Sequence, residues 1–249
     1  MTINKEFLLE KRHLIQMYVK EDFEFDDEVI AIYSIDNCVF GKSIVHHTRY
    51  GWFFVDRTST ELINSYWKMN VRGFLVSRSI AEISNLKNHL PLVDGHIVYV
   101  PLSGKKSRTP DWIGLHHIED YQHHEDKKLA SFKTIHGDHI QFSFDGPSLR
   151  QKIHDGSFMS EFHLQIITHT VSRYGSFKVY SERAGITDKF RHCSCNFHSR
   201  IPRTQADVLQ FWNSLFIIIF RTLAKNDIGT TLAESLKVQF RLFNKVRRW

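Results

Sequence analysis

The sequence predicts an α+β chain: a β-rich N-terminal body, either an antiparallel sheet or a partly open barrel, followed by a mostly helical C-terminal region. Three observations predict it. Between residues 25 and 145, short runs of β-branched and aromatic residues recur between turn residues, Ile97-Val98-Tyr99-Val100 being the clearest. His136-Gly137-Asp138 separates two such runs, and glycine takes the positive φ that a hairpin demands. Beyond residue 146 the apolar residues read mainly as helices. The expected organisation is an amphipathic segment over 1–24, the β-rich body over 25–145 and the helical, basic region over 146–249.

Taken in order, residues 6–20 set Phe7, Leu8, Ile15, Met17 and Tyr18 near helical spacing among charges, the mark of a short amphipathic helix. Residues 21–28 form an acidic linker. Strands are expected at 29–34 and 39–46 around an Asp36-Asn37 turn, and at 50–55. Thr58 with Glu61 three residues on is a capping box, which opens a helix to about residue 67. Residues 71–90 fit helix or strand. Strands resume at 96–101, 111–119, 129–135 and 139–144, and Pro101 ends the first because it has no amide hydrogen for a continuing ladder. Residues 149–172 read as helix with a break near Asp155-Gly156, 176–180 as a strand, and 182–200 as irregular. A helix runs from Thr204 to about Ala224. Thr231 with Glu234 is a second capping box that opens a terminal helix.

Composition narrows the functional classes. The 249 residues supply ample chain for a core, and 20 of them are Phe. Sixteen His make the net charge sensitive to pH between roughly pH 5 and 8. The net charge of +6 is unevenly spread: residues 1–30 hold four Lys/Arg against eight Asp/Glu, 31–170 fifteen against fourteen, and 171–249 fourteen against five. A basic C-terminal third points to a polyanionic partner, nucleic acid or an acidic membrane surface; the plainer reading is a solvated face. Three Cys, at 38, 193 and 195, argue against a disulfide framework and for a reducing cytosol. The N-terminus has no uninterrupted apolar run of the kind a signal peptide needs. Arg203 and Arg221 bracket the most apolar stretch within fewer than the ~20 residues that span a bilayer, so a buried helix and no stable membrane insertion are expected.

The most informative stretch is residues 91–118. After Pro101 come Ser103, Gly104, Lys105, Lys106, Ser107, Arg108 and Thr109: three positive charges and three hydroxyls, too little apolar surface for core, and a composition suited to phosphate. Here residues 91–94 (PLVD), Tyr99-Val100-Pro101, Ser103, residues 107–110 and Trp112-Ile113 stand in an order and spacing that resembles the ComK competence transcription factors of low-GC Gram-positive bacteria. Weaker similarity runs from about Val29 through Asp145, including Asn37-Cys38-Val39 and residues 66–83, a little under half of the chain. The acidic front and the residues beyond about 150 are less like the family. The resemblance implies a cytoplasmic, nucleoid-associated transcriptional activator of competence, meaning DNA uptake genes. It implies binding to A·T-rich promoter boxes of double-stranded DNA through the minor groove as a homo-oligomer on paired sites. RNA polymerase and a proteolysis adaptor are further implied partners, although the family's short apolar-basic degradation signal has no convincing counterpart here.

Minor-groove recognition reads width and A·T content with Arg and Lys and with bending. On that basis Lys105, Lys106 and Arg108 are the expected DNA contacts, with Arg72 and Arg78 assisting as parts of one positive ridge. Ser107 and Thr109 are expected to donate to phosphates, positioning the loop without reading sequence. The helical C-terminal region is assigned to oligomerisation, partner contact and nonspecific attraction. In the terminal helix Lys237, Arg241, Lys245 and Arg248 share one face, which sustains a competing reading as a peripheral membrane or protein-interaction module.

Other motifs carry less. Gly41-Lys42-Ser43 resembles the end of a phosphate-binding P-loop, but Asp36 stands where the earlier glycine belongs and no helix is expected after Ser43. His192, Cys193, Cys195 and His198 offer soft ligands within seven residues. Structural zinc sites pair ligands from two separated segments, so zinc here requires a ligand from elsewhere, such as another His. The sequence reading therefore favours reduced thiols in a basic loop, and assigns neither metal ligand nor cofactor. The doublets His46-His47, His116-His117 and His123-His124 do not chelate by themselves on strands, where neighbours point to opposite faces. His116 is expected on a strand with one face buried. With no catalytic motif in the chain, no enzyme is expected.

Overall fold

The computed structural model of the chain describes residues 2–11, 17–35, 39–69, 71–86, 90–102, 109–146, 148–172, 175, 185–190 and 193–224. The chain divides into two compact units, residues 1–201 and 202–249, so the expected divisions after 24 and 145 both fall inside the first. The expected strand at 176–180 and the terminal helix after 231 lie outside the described residues.

In the first unit, β1 (Thr2–Ile3) and α1 (Lys5–Glu10) precede β2 (Val29–Ser34), β3 (Ser43–His47) and β4 (Gly51–Val55). Two helices follow, α2 (Ser59–Met69) and α3 (Val71–Ile83), then β5 (Leu92–Asp94), β6 (Ile97–Pro101) and β7 (Trp112–Gly114). A 3₁₀ turn at Leu115–His117 leads into β8 (Ile118–His124), β9 (Leu129–Thr134), β10 (His139–Ser143) and the long helix α4 (Leu149–Val171). Short 3₁₀ helices at Gly185–Phe190 and His198–Arg200 complete the unit. The architecture is α+β, with antiparallel strands in a six-stranded sheet ordered β4-β3-β2-β7-β6-β5. A second sheet is ordered β1-β10-β9-β8, with β1 parallel to β10.

The local signals work where local physics decides. Thr58 and Glu61 form the capping box: the Thr58 amide donates to Glu61 Oε2 at 2.7 Å and the Glu61 amide to Thr58 Oγ1 at 3.2 Å. Gly137 sits at φ +90° in the β9–β10 turn, where the Thr134 amide donates to Asp138 O. Residues 71–83 are a helix, because Val76 and Ile80 are buried four apart and the Ser77 hydroxyl donates to Val93 O on the edge strand β5.

The six-stranded sheet is covered on both faces. Val29, Ile32, Val45, Phe53, Tyr99 and Trp112 face Leu62, Ile63 and Tyr66 of α2 together with Phe23 and Phe25 in one apolar core. On the other face Tyr33 packs against Phe142 of β10 with ring centroids 4.6 Å apart, so the second sheet lies against β2. Beside it α4 lies on β6. Gly156 makes that approach possible, because a Cβ there would stand 3.0 Å from Val98 Cγ1 and 3.2 Å from Val100 Cγ1. The expected helix break at Asp155-Gly156 is thus replaced by an unbroken helix: the glycine marks close packing rather than a bend.

Two further differences from the sequence reading follow from long-range pairing. The expected helix over 6–20 stops at Glu10, and Tyr18 and Lys20 instead run along β4, where Phe54 N donates to Tyr18 O and Lys20 N to Phe54 O. The expected strand over 111–119 is interrupted at Leu115–His117, where the chain leaves one sheet for the other. That corner is fastened by His116 and His117, whose Nε2 atoms both donate to Asp27 O, at 3.0 and 2.8 Å.

Among the described residues, no helix is long and apolar enough to cross a membrane. In the second unit α5 (Gln205–Ala224) opens on Thr204, whose hydroxyl accepts from the Asp207 amide, and buries Val208, Phe211, Leu215 and Ile218 on one stripe. Phe216 and Ile217 of the same helix are exposed.

Candidate nucleic-acid interface and a Cys/His cluster

Residues 103–108, which include Ser103, Gly104, Lys105, Lys106, Ser107 and Arg108, connect β6 to β7 and lie outside the described residues. The anchors on either side of them are described, and they are unusually well tied. Pro101 pairs with Trp112, and the Leu102 amide donates to Asp111 O at 2.7 Å. The Ser59 hydroxyl at the start of α2 donates to Pro110 O at 2.7 Å. Asp111 is partly buried, and its Oδ1 accepts from the Ser34 amide at 2.7 Å and from Lys5 Nζ at 3.2 Å. Lys5 Nζ also donates to Ser34 O at 2.7 Å, which closes a triangle between α1, β2 and β7. Burial pushes the Asp111 carboxyl up and the nearby Lys5 ammonium pulls it back, with burial the larger effect.

Thr109, expected as a phosphate donor, has a structural partner: its Oγ1 accepts from the Ser34 hydroxyl at 2.7 Å. It belongs to the anchorage beneath the loop. Other cations stand at the same end of the sheet. The Lys42 amide donates to Val55 O, and its ammonium is 3.2 Å from Asp56. Arg57 Nη1 donates to Phe23 O at 3.1 Å. Ser43 opens β3 rather than a helix and its hydroxyl donates to Arg57 O, so the P-loop likeness of residues 41–43 has no structural counterpart.

Arg72 and Arg78 both lie on α3, and Arg78 is exposed. On a strand, an even separation of six would have set them on one face. On a helix of 3.6 residues per turn their positions lie about 120° apart around the axis. The structure brings Thr109 to the loop anchorage and places Arg72 and Arg78 on a helix packed against β5 and α4.

The sequence reading singled out Cys193, Cys195 and His198 as soft ligands but did not find their fourth partner. His154, on α4, comes to Cys193, Cys195 and His198, and the four ligand-type atoms all lie within 4.8 Å of one another. Cys195 Sγ is 3.2 Å from His154 Nε2 and 3.3 Å from His198 Nδ1, and Cys193 Sγ is 3.6 Å from His154 Nε2. His154 Nδ1 points away, 3.5 Å from Asp155 Oδ1, which in turn accepts from Gln151 Nε2 at 2.6 Å. Phe158, Phe190 and Phe197 enclose the imidazoles: Phe190 meets His154 at 5.8 Å and Phe158 meets His198 at 5.5 Å, both edge-on. Both thiols are free. The signal that would have found this site is a helical histidine placed for a distant CxCxxH, and nothing local to His154 announces it.

The doublets His46-His47 and His116-His117 serve the core, while His123-His124 lies half-buried on β8. His47 Nε2 lies 3.2 Å from Asp26 Oδ1, and His46 stacks on Trp52 at 4.1 Å on the opposite face of β3, as strand alternation requires. Burial, with the charge of neighbouring histidines second, drives both His46 and His116 down to about 3. His116 is fixed as a neutral ring: Nε2 donates to Asp27 O and Nδ1 accepts from the Val98 amide at 3.3 Å. It belongs to a 3₁₀ turn, not to the strand the sequence suggested.

No family model, curated protein or solved structure matches the chain.

Proposed function

We propose that the chain is a DNA-binding transcriptional activator of the ComK type, acting on competence genes by binding A·T-rich promoter boxes through the minor groove. The observation that carries this reading is a basic segment, with Lys105, Lys106 and Arg108, strung between anchored ends at residues 102 and 109–111. Anchored ends reduce the conformational freedom a loop has left to lose when it binds. Lys and Arg are the side chains drawn to the narrow, electronegative minor groove of A·T tracts. Arg57 at the same sheet end adds to the positive field, while Arg78 on α3 is a peripheral contributor. The sequence resemblance over residues 91–118 supplies the regulator class, the competence genes, the cytoplasmic nucleoid setting, and RNA polymerase and the proteolysis adaptor as partners. For self-association the support is the exposed Phe216 and Ile217 of α5, and the excess of positive charge beyond residue 171 suits nonspecific attraction to DNA.

The test is a binding titration on an A·T-tract duplex and a G·C-rich duplex of equal length at two salt concentrations. A preference for the A·T duplex that survives the higher salt is expected. Replacing Lys105, Lys106 and Arg108 together with Gln is expected to weaken binding to every sequence and to flatten the log–log salt slope by about 2 to 3, one counterion release for each lost phosphate contact. An unchanged slope refutes the loop assignment, and equal, salt-erased binding to both duplexes reduces the chain to a generic polyanion binder.

A further inference from the structure

We infer that His154 Nε2, Cys193 Sγ, Cys195 Sγ and His198 Nδ1 bind one Zn²⁺ ion in a tetrahedral structural site that fastens the 193–198 segment to α4. Zinc held at about 2.3 Å from sulfur and about 2.0–2.1 Å from nitrogen sets tetrahedral ligand atoms roughly 3.3–3.8 Å apart. The three closest sulfur–nitrogen separations are 3.2, 3.3 and 3.6 Å.

Hydrogen bonding alone accounts poorly for this convergence. His154 Nε2 has one lone pair or one proton to offer, yet both sulfurs crowd it, and Cys195 Sγ is shared with His198. A central cation employs all four atoms at once. The donor set of two thiols and two imidazoles is a borderline-soft one that suits zinc. On binding, both thiols give up their protons to solvent and the imidazoles stay neutral, so two thiolates balance the dication and the half-buried site carries no net charge. Asp155 stands where carboxylates beside zinc-bound histidines stand, near the ring nitrogen that faces away from the metal. The ligands come from two segments 39 residues apart, which meets the requirement that the short 192–198 run alone fails. The four protein ligands fill the tetrahedron, so the site is structural rather than catalytic.

The site is independent of the DNA reading, and either can fail without the other. The experiment is metal analysis of the full-length chain, followed by cobalt substitution. One zinc per chain is expected, with a thiolate-to-cobalt charge-transfer band and the intense d–d absorption of tetrahedral cobalt. Cys193→Ser, Cys195→Ser and His154→Ala are each expected to lower zinc affinity by more than tenfold, whereas Cys38→Ser and His192→Ala leave it unchanged. Should a ligand variant fail to fold, the wild-type chain still decides: two thiols are expected to resist alkylation until a chelator is added. Absence of zinc together with weak, octahedral cobalt absorption, zinc retained in Cys195→Ser, or three thiols equally reactive with and without chelator overturns the site.

Discussion

Two groups of histidines sit in the first unit, and they differ in what their ring nitrogens meet. At the corner between the sheets, His116 and His117 address backbone oxygen and His47 addresses a carboxylate. In the cluster on α4, His154 and His198 address sulfur. Burial alone does not separate the groups, since His116 and His198 are both almost wholly enclosed. The partner atom does. A neutral imidazole tied to carbonyls is a strut, and one that shares its nitrogen with two thiols is a ligand awaiting a cation.

The corner is the more sensitive half of this comparison. His116→Ala removes a buried ring and leaves the Val98 amide without its acceptor, so a loss of about 3–5 kcal/mol is expected in urea unfolding. A loss below about 1 kcal/mol shows that the corner is not held by this ring.

Acid probes the same struts. His46 and His116 have folded values near 3, against an ordinary 6.5, so below pH 6.5 the unfolded chain takes up protons that the folded one refuses. Their contribution is complete above pH 6.5 and falls by about 1.4 kcal/mol per pH unit for each ring as pH drops toward 3. Urea midpoints of the wild type and of Cys195→Ser, compared between pH 7 and pH 5, isolate this slope, because only the wild type also releases metal. A midpoint that stays flat in both proteins removes the neutral-strut description.

The smallest expected effect sharpens the ligand side. Asp155→Ala, which takes away the carboxylate near His154 Nδ1, is expected to weaken zinc binding about tenfold while the zinc-free chain keeps its stability within about 1 kcal/mol. Competition with a chromophoric chelator reads the first quantity and urea unfolding the second.

What the sequence made legible follows the range of the interaction. The Thr58–Glu61 capping box and the turn at Gly137 involve neighbours within four residues, and both form as expected. Gly156 was legible as an exception but not as to its kind, because its reason lies in Val98 and Val100, about sixty residues away. The corner at His116 depends on Asp27, and the course of residues 18–20 on Phe54, so period and propensity pointed to a strand and a helix instead. For the candidate loop, its basic composition was readable while its anchors at Ser34 and Lys5 were not. The cluster was half readable: Cys193, Cys195 and His198 announce themselves by spacing, and His154 is chosen by the fold alone.

The pairing of β1 with β10 carries a consequence for how the molecule is made. Ile3 finds its partner in Ile140, and Lys5 its carboxylate in Asp111, so these residues leave the ribosome long before anything exists for them to pair with. At translation rates of 5–20 residues per second that wait is on the order of 10 s. Lys5 can reach Asp111 as soon as β7 has emerged, whereas β1 waits for β10. The anchors of the basic segment need nothing beyond β7, so a nascent chain that has completed β7 but not β10 can already hold that segment, with only the short β1 strand left without its neighbour.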